Sequence, residues 1–135
     1  MELVRIISII WYKNIMTKTI LVAEDSTSVR KFIFFALKLV GFEVITAVDG
    51  MDALEQLPKN KIDMLITDLN MPNIDGIKLI KAVRLDPEYK DLPIIILSSL
   101  SADEDVENGL SAGANSYLIK PFNAKRIQYE IAKYL

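Results

Sequence analysis

Short apolar runs recur along the chain about a helix length apart, and four of them end on polar or charged residues. Ile20-Leu21-Val22-Ala23 runs into Glu24-Asp25, and Met64-Leu65-Ile66-Thr67 runs into Asp68. Ile94-Ile95-Ile96-Leu97 runs into Ser98-Ser99, and Tyr117-Leu118-Ile119 into Lys120-Pro121. Unbroken β-rich runs separated by amphipathic segments predict parallel strands buried on both faces and joined by helical crossovers. In such sheets ligands bind beyond the carboxyl ends of the strands. Residues far apart in sequence are therefore expected to meet in one crevice.

The remaining pattern completes five βα units. Strands are expected at 19–23, 43–47, 64–67, 94–97 (central in the sheet, because it is apolar throughout) and 115–119. The first helix is predicted over 26–40, with Val29, Phe32, Ile33, Ala36, Leu37 and Val40 on one apolar face and Gly41 as a left-handed stop. Phe34 and Phe35 fall outside that face. They read either as half-buried under neighbouring helices or as an aromatic patch covered by the N-terminal extension or a partner. A short helix follows Asp49-Gly50 and ends at Pro58, and a loop over 69–75 leads into a helix that Asp86-Pro87 breaks. Ser101-Ala102-Asp103-Glu104 reads as a capping box, and Asn123 as the cap of a last helix reaching Leu135. The fold class is α/β, a doubly wound domain with helices on both faces.

Composition narrows the chemistry. A chain of 135 residues, half of them apolar, can bury a core without metal or disulfide staples. The net charge of −2 and the absence of a basic run argue against a nucleic-acid partner. Cysteine is absent, which fits a reducing, cytoplasmic setting. Histidine is absent too, which removes any mechanism needing an imidazole base, ligand or phosphohistidine on this chain. Residues 1–15 form an extension whose apolar stretch is far short of the roughly 20 residues of a membrane span. It reads either as an upstream start that adds little or as an added element packing on the body, with the domain proper over 16–135.

Glu24, Asp25 and Asp68 at neighbouring strand ends would repel one another and raise at least one pKa unless a cation intervenes. A hard divalent ion, Mg²⁺ (or Mn²⁺), suits such oxygen ligands. One carboxylate could then act as a nucleophile toward phosphorus. Lys120 could supply fixed positive charge to a phosphoryl oxygen and Ser98 a hydroxyl donor.

The stretches Leu21-Val22-Ala23-Glu24-Asp25-Ser26, Asp68-Leu69-Asn70-Met71-Pro72-Asn73-Ile74-Asp75-Gly76 and Tyr117-Leu118-Ile119-Lys120-Pro121-Phe122 resemble those of a response-regulator receiver domain. The likeness is to the single-domain chemotaxis (CheY-like) type and runs from about residue 17 to the C-terminus. It implies a flavodoxin-like five-stranded parallel sheet in the order 2-1-3-4-5. It implies Asp68 as phosphoacceptor, Glu24 and Asp25 as the acidic metal-holding pair, and Asn70 as a metal ligand through its backbone carbonyl. Ser98 matches the hydroxyl residue that follows the phosphoryl group, Lys120 the family's lysine and Tyr117 the switch aromatic. A cis Lys120-Pro121 bond is also implied. Glu24 stands where aspartate is common, a mild departure, and the apolar Leu100 two residues beyond Ser98 could shield a phosphoryl group from water.

Taken singly, Asp25 and Asp68 could be ordinary strand-end acids, Ser98 a loop hydroxyl, Asn70 a turn residue and Tyr117 half-buried packing. Together, at strand ends in this order, they read as a site. The resemblance then implies a two-component response regulator that catalyses its own phosphorylation and dephosphorylation and is not otherwise an enzyme. Its phosphodonor would be a sensor histidine kinase or histidine phosphotransfer protein. Its output would be a downstream protein target bound at the face formed by the fourth predicted helix, fifth strand and fifth helix, since no output domain is expected after the last helix. Alternatives are a phosphorelay intermediate or phosphate sink, and a non-phosphorylated receiver-like binding module.

Overall fold

The computed structural model describes residues 2–135, with backbone alone for 10–16. Helix α1 (Glu2–Met16) precedes β1 (Thr19–Ala23), α2 (Thr27–Lys38), β2 (Glu43–Ala47), α3 (Gly50–Gln56) and β3 (Met64–Thr67). Then come α4 (Gly76–Leu85), β4 (Ile94–Ser98), α5 (Asp103–Ala112), β5 (Ser116–Ile119) and α6 (Ala124–Ala132). The strands form one parallel sheet in the order β2-β1-β3-β4-β5, as the resemblance implied. The middle strand is β3, and β4 is an interior strand held between β3 and β5.

Side-chain alternation along the strands divides the core into two layers. Leu21, Ala23, Leu65, Ile94 and Ile96 face Ala53 of α3 and Leu79, Ile80 and Val83 of α4. Ile20, Val22, Met64, Ile66, Ile95 and Leu97 face Ile33 and Leu37 of α2 and Ile127 and Ile131 of α6. Each of these large side chains is essentially fully buried, which contributes about 1.5–3 kcal/mol apiece to the hydrophobic term. Because every strand is parallel, the four polar run-ends lie along one edge of the sheet.

Several local expectations shift. Gly41 does take positive φ, at 95°, but α2 ends at Lys38 and Val40 is exposed. Phe32 is also exposed: it sits at the rim, its ring centroid 6.5 Å from that of Phe122. The stripe of α2 that enters the core is the narrower Ile33, Ala36 and Leu37. Phe34 is half-buried while Phe35 is 61% exposed, their rings meeting edge to face. The extension is helical, and residues 2–9 of it are exposed, so Phe35 is not shielded. No capping box forms at Ser101: the N-cap of α5 is Ala102, with no side-chain cap. Asn123 does cap α6, accepting a hydrogen bond from the Arg126 amide at 2.9 Å. Among the described residues, no helix is long and apolar enough to cross a membrane.

Candidate functional site

Glu24, Asp68 and Lys120 are each placed by a backbone bond that extends the sheet one step past a strand. The Glu24 amide donates to the Ala47 carbonyl at 3.1 Å, and the Asp68 amide to the Ala23 carbonyl at 3.1 Å. The Lys120 amide donates to the Ser98 carbonyl at 2.8 Å, and the Lys120-Pro121 bond is cis. The side chains project from these fixed points into the crevice. Carboxylate oxygens of Glu24, Asp25 and Asp68 lie within 4.8 Å of one another. Glu24 and Asp68 are buried, Asp25 is exposed, and Lys120 reaches in between the two buried acids. Its Nζ is 3.3 Å from Asp68 Oδ2 and 3.7 Å from Glu24 Oε1. The Leu69 amide donates to Asp68 Oδ1 at 2.7 Å.

One ammonium is paired with two of the three clustered carboxylates. Burial and the charge of Asp68 push the Glu24 carboxyl up to about 7, against the opposing pull of Lys120. A buried carboxylate held near its titration point is a group short of positive charge. The donor set, all carboxylate oxygen and partly desolvated, fits a hard cation such as Mg²⁺.

Ser98 is fully buried at the end of β4, and its Oγ accepts from the Leu100 amide at 3.2 Å. The Leu100 carbonyl in turn accepts from the Tyr117 hydroxyl at 2.7 Å. Ser98 and Tyr117 are thus linked through the backbone of Leu100, a residue that sequence reasoning valued only for its apolar side chain. Tyr117 is half-buried, and that burial pushes its phenol pKa up. Asn70 is exposed in the loop after Asp68, lining a small cleft with Leu69, Leu100 and Asn108.

Sequence reading missed three supports. Thr67 is buried, and its Oγ1 donates to the Asp68 carbonyl at 2.8 Å; a polar residue closing an apolar run was the available signal. Arg30 donates to the carbonyls of Glu24 at 2.7 Å and Asp25 at 3.3 Å, steadying the acidic turn from α2. Gly76 leaves no room for a Cβ, which would collide with the Asp68 carbonyl.

Residues 20–132 match the response regulator receiver domain family. The transcriptional regulatory protein PrrA of Mycobacterium tuberculosis is 40% identical over 109 residues, 81% of this chain, which spans only 46% of PrrA's length. The structure of the chemotaxis protein CheY4 of Vibrio cholerae superposes with a TM-score of 0.84 at 35% identity, over 88% of this chain and 99% of that one. The receiver domain of a sensor histidine kinase of Pseudomonas aeruginosa, solved with a magnesium ion coordinated in its active-site cleft, gives 0.81 at 29% identity, over 87% and 97%. On fold, acidic crevice and sequence together, this chain belongs to the response regulator receiver domain family and is CheY-like.

Proposed function

We propose that this chain is a phosphorylation-activated switch that accepts a phosphoryl group on Asp68 from a histidine kinase or histidine phosphotransfer protein in the cytoplasm. The observation that carries the reading is the charge balance of the crevice: three carboxylates cluster there, the two buried ones are ion-paired to Lys120, and among the described residues no other cation is ion-paired to the cluster. Glu24, Asp25, Asp68 and the Asn70 carbonyl would hold Mg²⁺. When bound, the ion supplies the positive charge that lets an anionic phosphodonor approach an anionic acceptor.

Asp68 then acts as nucleophile. A carboxylate oxygen forms the new O–P bond while the P–N bond of the donor phosphohistidine breaks, its electron pair staying on the imidazole nitrogen. Lys120, already 3.3 Å from Oδ2, is within reach of a phosphoryl oxygen carried there. The Ser98 hydroxyl accepts from the Leu100 amide and keeps its own proton to donate. Drawing Ser98 toward a phosphoryl group would pull on Leu100, and through Leu100 on Tyr117. That path leads to the surface formed by α5, β5 and α6, where a protein target would read the change. The Ser98–Leu100–Tyr117 connection favours a switch over a plain phosphate sink.

Acetyl phosphate with Mg²⁺ should add one phosphoryl group, read by intact mass, and Asp68→Asn should abolish it. Equal labelling of the variant would refute the assignment of Asp68.

A further inference from the structure

The loop between β3 and α4 carries Asp68 and Asn70, yet the sheet anchors only its first residue. Its far end is fixed by the Gly76 amide, which donates to the Leu69 carbonyl at 2.8 Å. Its middle is held from another element altogether. Asn73 takes positive φ, 69°, and its side-chain amide donates to Asp49 Oδ2 at 2.7 Å. Asp49 Oδ1 meanwhile accepts from the Asp52 amide at 2.8 Å, capping α3. Those two amides hold the Asp49 carboxyl below the usual carboxylate range, so it remains an acceptor at neutral pH. Beside this bond, Gly50 lies so close to the loop that a Cβ there would stand 2.5 Å from the Ile74 carbonyl oxygen and 3.0 Å from Ile74 Cβ. Backbone on both sides leaves little to yield. The turn after β2 and the loop after β3 are therefore clasped by one side-chain bond and one close backbone contact, on residues outside the acidic cluster.

We propose that Asp49, Gly50 and Asn73 are positioning residues for the phosphoacceptor loop, holding ready the backbone that presents Asn70 beside Asp68. This rests on the reading of the crevice as a Mg²⁺ and phosphoryl site. A loop already fixed in its bound course binds a cation without a further ordering cost, and a released loop bears that cost on binding. Asn73 is the informative position. Asn73→Gly keeps a residue suited to positive φ and removes the side-chain bond, and the exchanged pair below separates that loss from the backbone freedom that glycine adds.

The test is a Mg²⁺ titration of the full chain, followed by amide NMR shifts at Leu69 and Asn70, with metal-free thermal unfolding measured alongside. Asn73→Gly is expected to weaken Mg²⁺ binding about three- to fivefold, the scale of one ordinary, solvent-exposed hydrogen bond, with little change in unfolding temperature. The exchanged pair Asp49→Asn with Asn73→Asp keeps both the net charge and a donor–acceptor match, and should regain most of that affinity. Gly50→Ala should weaken binding further by displacing the loop backbone. Wild-type affinity in Asn73→Gly would overturn the proposal, as would an exchanged pair no better than Asn73→Gly. If the wild-type chain itself binds no Mg²⁺ at millimolar concentration, the reading of the crevice fails, and the clasp proposal falls with it.

Discussion

Lys120 is the residue on which the charge balance turns, because it stands between two buried acids that would otherwise face each other. Glu24 bears the imbalance: burial first, then Asp68, lift its carboxyl from 4.5 to about 7. The folded, metal-free protein therefore holds a proton on Glu24 that the unfolded chain has released between those two values. Stability from this group is fully present below about pH 4.5, falls as pH rises toward 7, and is level above that. Urea unfolding at a series of pH values should show Glu24→Gln losing that slope relative to wild type. A difference between the two that stays constant from pH 5 to 7 would contradict it. At the other end of the crevice, Tyr117→Phe removes the bond to the Leu100 carbonyl, and should cost about 1 kcal/mol with faster hydrogen exchange at Leu100. Unchanged exchange there would mean the bond holds nothing in place.

Among the elements, strands were the most legible. Four apolar runs fixed the positions of β1, β3, β4 and β5 because parallel strands bury both faces and leave a plain signature. Their polar ends therefore named Glu24, Asp25, Asp68, Ser98 and Lys120 in advance. Helix phase and helix starts were less legible. Phe32 obeys the helical period of α2 yet lies at the rim, since which part of a wide apolar stripe meets the sheet is decided by packing. Ser101 and Glu104 have capping-box spacing, but the loop before them is already committed through the Leu100 amide and carbonyl. The helix instead starts at Asp103 behind an uncapped Ala102. Ala102→Ser should then supply the missing cap and stabilise the protein by about 0.5–1 kcal/mol in chemical denaturation. No gain would show that the terminus is already satisfied by solvent. The clasp of Asp49 and Asn73 had no sequence signature of its own, because its partners are 24 positions apart and each reads locally as a turn residue.

At the scale of the whole molecule, the receiver body and the extension behave differently. The body closes its core in two layers about the sheet, whereas residues 2–9 of α1 leave Leu3, Val4, Ile6, Ile7 and Ile9 exposed. Removing residues 1–15 should therefore leave the unfolding free energy of the body within about 1 kcal/mol of the full chain, and should lower binding of an apolar dye. A larger loss of stability would mean that the extension packs on the body.

The central claim is that the crevice at the carboxyl edge of the sheet takes a phosphoryl group on Asp68 and passes its presence to the face of α5, β5 and α6. Beryllofluoride mimics an acyl phosphate without turnover, so amide NMR during its titration with Mg²⁺ reads binding and transmission together. The expected result is saturable binding to the wild-type chain, with shifts at Ser98, Leu100, Tyr117 and into α5, and none of these in Asp68→Asn. Shifts that persist in Asp68→Asn, or a wild-type chain that does not respond, would contradict the account.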